Sequence, residues 1–197
     1  MPKITIAIPV HQMENWSFFL TRCLDSVFSQ TFTDYEIVIT KTGKMAENTN
    51  SVIERSRGEI IKILYMDDYL AHPNALKEIV DNFGDSEWLV TGCLHQSGDE
   101  PPHNPHYPEY NDNIEVLNTI GSPSVLAIRN TGHLLFDENL SFFLDCDLYK
   151  RYYKMYGSPK IINDLNVVIG LGDHQMTHLL SSEEKQKEFN YSFKKHQ

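Results

Sequence analysis

Ile60-Ile-Lys-Ile-Leu-Tyr-Met-Asp67-Asp68-Tyr-Leu-Ala-His72-Pro73 is the stretch that decides how this chain reads. A β-branched apolar run stops abruptly on two adjacent carboxylates, and Pro73 then opens a helix-like segment. In α/β sheets, ligands bind outside the carboxyl ends of the strands. Two acids at that place suit a hard divalent cation, Mg²⁺ or Mn²⁺, held by oxygen ligands while it bridges phosphates. They equally suit a solvated turn whose acids cap the following helix. The rest of the chain has to choose.

Working outward, Lys3-Ile-Thr-Ile-Ala-Ile-Pro9 is a short β-branched run closed by proline, a first strand. Trp16, Leu20, Cys23, Leu24 and Val27 then fall on one helical face in a segment running to about Gln30. Tyr35-Glu-Ile-Val-Ile-Thr40 is a second strand. A helix over residues 45–56 follows, with Gly58 as its stop, and residues 60–66 form the third strand. Leu76, Ile79, Val80 and Phe83 make another helical face, stopped by Gly84.

This strand–helix alternation, with strands apolar on both sides, predicts a parallel sheet with right-handed crossovers and helices on both faces. Residues 88–94 continue it. Residues 98–113 hold Pro101, Pro102, Pro105 and Pro108 and no periodic apolar face, so they read as a long loop, a lid or binding segment. Beyond it, residues 124–129 and 161–169 read as strands and 141–156 as an aromatic helix. The segment 181–197 is polar, a tail or peripheral helix after a single domain over 1–180.

With 17 basic against 27 acidic side chains the formal charge is −10, which opposes non-specific affinity for nucleic acid or anionic membranes. No apolar run is long enough to span a bilayer, and no signal peptide is visible before the first strand. Cys23, Cys93 and Cys146 are scattered and fit buried thiols in a reducing compartment, so the cytoplasm is the expected address. His103 and His106 lie between prolines with no third ligand nearby and do not suggest a metal site.

In this topology the ends of the first three strands bring Pro9-Val-His-Gln12, Thr40-Lys-Thr-Gly43 and Met66-Asp67-Asp68 side by side, around a nucleotide-sized crevice. Neither G-x-x-x-x-G-K-[ST] nor G-x-G-x-x-G follows the first strand, and Gly170-Leu-Gly172 comes late and alone. Phosphate binding through acids and a metal is therefore favoured over a glycine cradle.

Several segments then resemble, in order, the large inverting, family 2-type group of GT-A glycosyltransferases. The opening strand with Pro9-Val10 and the helix end Ser26-Val-Phe-Ser-Gln30-Thr match that family's start. So do Tyr35-Glu-Ile-Val-Ile, the run from Asn50 to Gly58-Glu59, and Met66-Asp67-Asp68 with His72-Pro73 in the place of its D-x-D motif. Gly121-Ser-Pro-Ser124, Phe136-Asp-Glu-Asn-Leu140 and Leu144-Asp145 are similar to later family segments, the last to its "E-D" catalytic motif. The likeness covers residues 3–178. Departures are Lys41 and Thr42 where the family carries two acids, the first of them at the uracil base. Gln12 stands in place of Asn, one acid of D-x-D is displaced, and Leu144 replaces the acid before Asp145. A uridine donor is therefore not implied.

The resemblance implies transfer of a sugar from a nucleotide-diphosphate donor to an acceptor hydroxyl, aided by Mn²⁺ or Mg²⁺. Asp145 is then the general base, a role that contributes roughly 10²–10⁴-fold. Asp68 and the late His174 hold the metal, and Pro9, Val10, Gln12, Lys41, Asn50 and Asp67 bind the donor. Asp147 needs no catalytic role, because Arg151 stands four residues on as an ion-pair partner. The acceptor is expected to be a glycan or lipid-linked glycan, with a protein or hydroxylated nucleobase as alternatives. Two rivals stand beside this reading: a non-catalytic sugar-nucleotide- or glycan-binding relative, and a metal-dependent nucleotidyltransferase, whose paired acids do similar work.

Overall fold

The computed structural model describes residues 1–132 and 134–197. Strand β1 (Ile4–Pro9) is buried along its whole length, as a β-branched run covered on both faces must be. Helix α1 (Trp16–Phe28) returns to β2 (Tyr35–Thr40), and α2 (Met45–Arg55) returns to β3 (Ile60–Ile63). Both β2 and β3 run parallel to β1, with Ile6 opposite Ile37 on one side and Lys62 on the other. These two crossovers are the ones the alternating pattern predicts.

Strand β3 ends at Ile63, three residues short of the expected Met66, because the chain turns through Tyr65–Asp68, closed by Asp68 N–H donating to Tyr65 O at 3.0 Å. A two-residue strand, β4 (Tyr69–Leu70), follows, then α3 (Ala75–Phe83), which stops at Gly84 with φ 52°. Gln30 locks this region to α1. Its amide donates to Ser26 O (3.0 Å) and His72 O (2.9 Å) and accepts from Leu76 N–H (3.0 Å). Trp16, expected on the buried face of α1, is instead 37% exposed at its first position, beneath the Lys41 ammonium at 5.4 Å.

The second half completes a mixed sheet. Strand β5 (Trp88–Ser97) is followed by β6 (His103–His106), so the stretch read as a structureless loop is in part the second strand of a hairpin. Pro105 is tolerated because β6 lies at an edge. After a 3-10 turn (Pro123–Val125) come β7 (Leu126–Arg129), α4 (Leu144–Tyr156) and β8 (Lys160–Leu171). The order across the sheet is β2-β1-β3-β7-β5-β8-β4, with β6 on β5. Since β7 is antiparallel to both β3 and β5, and β8 is parallel to β5, strands β1, β2, β3, β5 and β8 point one way. Their carboxyl ends therefore open on one side of the sheet.

Helices α5 (Met176–Leu179) and α6 (Ser182–His196) close the chain. The polar segment is thus a helix, opened by a Ser181–Glu184 capping box and bound to the body through its far end. Asp147, fully buried, meets Arg151 (2.8 Å), Lys195 (2.7 Å) and His196 (2.8 Å). Burial raises the Asp147 pKa, but these partners outweigh it and hold the carboxyl below the usual range. Among the described residues, no helix is long and apolar enough to cross a membrane.

Gly58 is not a helix stop. Ser56, extended, ends α2, and a Cβ on Gly58 would lie 2.5 Å from Thr5 N and 2.7 Å from Ile4 C. Only glycine lets the chain pass this close to β1. Gly58→Ala is expected to cost about 1–3 kcal/mol, the range for forcing atoms into a packed interior. Urea denaturation measures it; an unchanged midpoint would mean that β1 and the α2–β3 link yield freely.

Candidate active site

A cavity of about 450 Å³ opens at the carboxyl ends of β1 and β3, against the first turn of α4. A smaller one of about 210 Å³ lies beside it, and the two share His11, Met45, Tyr65, His174 and Met176 as walls. Asp67, Asp68, Asp145 and His174 all reach the larger cavity.

The two adjacent acids do different work. Asp68 is 2% exposed, its Oδ1 accepting the Gly170 N–H at 2.8 Å. Burial first, and then the charge of Asp67, push its carboxyl well above the usual range. Below it Lys62, with no exposed surface, donates its ammonium to Ser124 O, and burial lowers its pKa to about 7. The Ser124 hydroxyl also accepts Tyr65 N–H at 2.8 Å. Asp68 is therefore a buried brace tying β8 to the turn.

Asp67 is the acid the turn presents outward. Its Oδ2 lies 2.9 Å from His174 Nε2, and its main-chain oxygen accepts from Arg22 at 2.6 Å. Arg22 stacks over Phe19 (5.3 Å), and the Phe19 ring in turn packs on the His174 imidazole (5.5 Å), so α1 holds both partners in place. The late Gly170-Leu-Gly172 has a structural reason. A Cβ on Gly170 would meet Asp67 O at 2.4 Å, and one on Gly172 would meet the His174 ring at 2.8 Å. His11 stands on the same wall; burial lowers its pKa, opposed by Asp67 and aided by His174.

At the α4 end, Asp145 Oδ1 accepts Cys146 N–H (2.7 Å) and Oδ2 accepts the Asn118 amide (2.7 Å). The Asn118 side chain is itself held by Ile120 N–H (3.0 Å) and Gly121 N–H (2.9 Å). Burial raises the Asp145 pKa to about 6, against the lowering effect of the Cys146 N–H. A carboxylate so tuned can take a proton near neutrality.

Of the sequence-derived donor residues, Pro9 lines the smaller cavity. Val10 does not; its N–H and C=O are spent on Thr40 O and the Asn48 amide, both at 2.8 Å. Gln12 and Lys41 pair with each other at 2.7 Å on the exposed surface and line neither cavity. Asn50 is turned away, its amide occupied by Phe136 N–H (2.8 Å), Phe136 O (3.0 Å) and Glu138 (3.1 Å). It pins the 136–138 segment to α2 instead. His11, Tyr65 and Asn118 are cavity residues that the pattern did not single out. His11 lay within the quoted first-strand turn, whereas Asn118 sits in an aperiodic stretch with no signal.

Asp67 and His174 offer one oxygen and one nitrogen to the cavity. No group of three or more His, Cys, Asp or Glu among the described residues could hold an ion alone. That donor set fits Mg²⁺ or Mn²⁺ only where phosphate oxygens and water complete the shell, a common arrangement for these ions.

No family model and no curated protein sequence matches the chain. Among solved structures it is similar to Staphylococcus aureus TarS 1-349 in complex with UDP-GlcNAc, with TM-score 0.73 and 16% identity over 96% of this chain and 65% of that one. It is also similar to the mannosyltransferase PcManGT of Pyrobaculum calidifontis in complex with GDP-Man and Mn²⁺, with TM-score 0.62 and 11% identity over 98% of this chain and 64% of that one. The chain thus spans just under two thirds of each of these structures. The likeness defines the fold class, a GT-A-like α/β domain with a mixed sheet flanked by helices.

The division of labour between the paired acids can be measured. Asp68→Asn is expected to lose about 1–3 kcal/mol, because an amide group then faces the buried Gly170 N–H. Asp67→Asn is expected to stay within about 1 kcal/mol of wild type. Equal losses in chemical denaturation would contradict the assignment.

Proposed function

We propose that this chain is a glycosyltransferase that moves a sugar from a nucleotide-diphosphate donor to an acceptor hydroxyl with inversion. The observation that carries this reading is a single cavity with two chemistries. One wall holds a carboxylate, Asp145, whose pKa burial brings to about 6; another holds the Asp67–His174 pair at 2.9 Å. The GT-A-like fold supports it, and the TarS and PcManGT structures were obtained with UDP-GlcNAc and with GDP-Man and Mn²⁺ respectively.

Asp145 takes the acceptor hydroxyl proton on a carboxylate oxygen as that hydroxyl oxygen attacks the anomeric carbon. The bond from that carbon to the donor phosphate oxygen breaks, and its electron pair leaves on the nucleoside diphosphate. The Asn118 amide fixes the direction of the Asp145 carboxylate during this transfer. Asp67 and His174 would hold Mn²⁺ or Mg²⁺ against the diphosphate, where the ion supplies Lewis-acid neutralisation of the leaving charge. The metal role is assigned here to Asp67 rather than Asp68, because Asp68 is the more buried of the two and its Oδ1 already accepts the Gly170 N–H.

As a base, Asp145 works only when deprotonated. Transfer should therefore be fully present above a pKa of about 6 and fall tenfold per pH unit well below it. Asp145→Asn is expected to keep donor affinity and to lose transfer by about 10²–10⁴-fold. Initial rates of nucleoside-diphosphate release across pH test both points. Undiminished turnover in Asp145→Asn would remove Asp145 from the role, and release of pyrophosphate would mark a nucleotidyltransferase instead.

A further inference from the structure

Helix α4 begins without a cap of its own. Its N-cap, Phe143, is apolar and caps no amide by a side chain; within the first turn Asp145 Oδ1 takes Cys146 N–H. Such amides must find acceptors, and an anion at a helix N-terminus is favoured by the dipole as well. The three amides just before the helix find theirs in a distant part of the chain. Glu188, on α6, takes Ser141 N–H on both carboxylate oxygens (3.0 and 3.0 Å), Phe142 N–H at 2.7 Å and Phe143 N–H at 3.2 Å. The Phe189 and Phe143 rings meet edge-on at 6.1 Å beside it. Ser141, Phe142, Phe143, Leu144 and Asp145 form one continuous wall of the larger cavity.

We infer that Glu188 is a positioning residue for Asp145, clamping the three amides that precede α4 and so fixing the wall on which the base stands. This inference rests on the transferase reading given above. Glu188 does not line the cavity itself and acts only through residues 141–145. The geometry demanded is tight, since a displacement of about 1 Å far from the reacting atoms can cost on the order of 10²-fold in rate. The rest of α6 is held separately, by Lys195 on Asp137 (2.6 Å) and on Asp147 (2.7 Å), so the helix can stay docked when Glu188 is changed.

The test compares Glu188→Gln and Glu188→Ala with Lys195→Met, which loosens α6 without touching the wall. Glu188→Gln keeps one acceptor oxygen but turns an N–H₂ towards the amides, so it should be intermediate if Glu188→Ala folds and sufficient by itself if it does not. Expected are a fall of about tenfold or more in the kcat of transfer for Glu188→Gln, with donor Kd within about twofold of wild type, a split that marks lost positioning rather than lost binding. Hydrogen exchange at the 141–143 amides should quicken in Glu188→Gln and not in Lys195→Met. An unchanged kcat in Glu188→Gln overturns the inference. Parallel losses of kcat in Glu188→Gln and Lys195→Met also overturn it, leaving α6 a plain structural brace. If the wild type transfers no sugar to any acceptor, the transferase reading fails; unchanged exchange at 141–143 then refutes the clamp as well, and quickened exchange upholds it as the support of the Asp145 wall.

Discussion

The buried carboxylate of Asp68 is the contact on which the site depends. It accepts Gly170 N–H on β8, while the buried Lys62 ammonium on β3 donates to Ser124 O on the turn before β7. The Gly170 bond, at the floor of the cavity, ties β8 to the turn after β3, and Lys62 ties β3 to Ser124. A buried polar group left without its partner is costly, so removing one member leaves the others unsatisfied. What the cluster gains is a fixed direction for the residue before it. With Asp68 drawn inward, a tight turn has to send Asp67 outward, and Arg22 secures the turn by holding the Asp67 carbonyl oxygen.

The second fixed point is the start of α4. Asp145 and Asp147 sit two residues apart and have opposite electrostatics. Burial dominates at Asp145 and raises its pKa; at Asp147 it is outweighed by His196, Arg151 and Lys195, and the carboxyl is lowered. Two carboxyls shifted in opposite directions thus come from one helical turn, separated only by what each faces. Helix α6 supplies Lys195 and His196 to Asp147 and Glu188 to the amides before α4, so this polar segment supports the wall around the site without lining it.

Strands β1, β2 and β3 were legible because their signal is local: short β-branched runs between turn residues, with helical periodicity between them. The later strands were less so, since Pro105 in β6 is permitted only by an edge position that sequence does not show. The paired acids were legible as a site, but not their division of labour. Which of two neighbours turns inward is set by Gly170, 102 positions away along the chain. Asn50 looked like a donor ligand because it is a polar residue in a resembling segment, yet its amide answers the unpaired backbone of Phe136. Asn118 and Glu188 carried no pattern because each acts through hydrogen bonds to residues far along the chain, which periodicity does not record.

The most direct measurement is the thermal stability of the wild type and of Asp67→Ala with UDP, GDP, CDP, dTDP and ADP, each with and without Mn²⁺. A ligand that binds only the native state adds about 2.7 kcal/mol at roughly a hundredfold excess over its Kd. The expected result is a metal-dependent rise with one diphosphate in the wild type that disappears in Asp67→Ala. No rise with any diphosphate, or a rise of equal size in both proteins, would contradict a donor site built on Asp67.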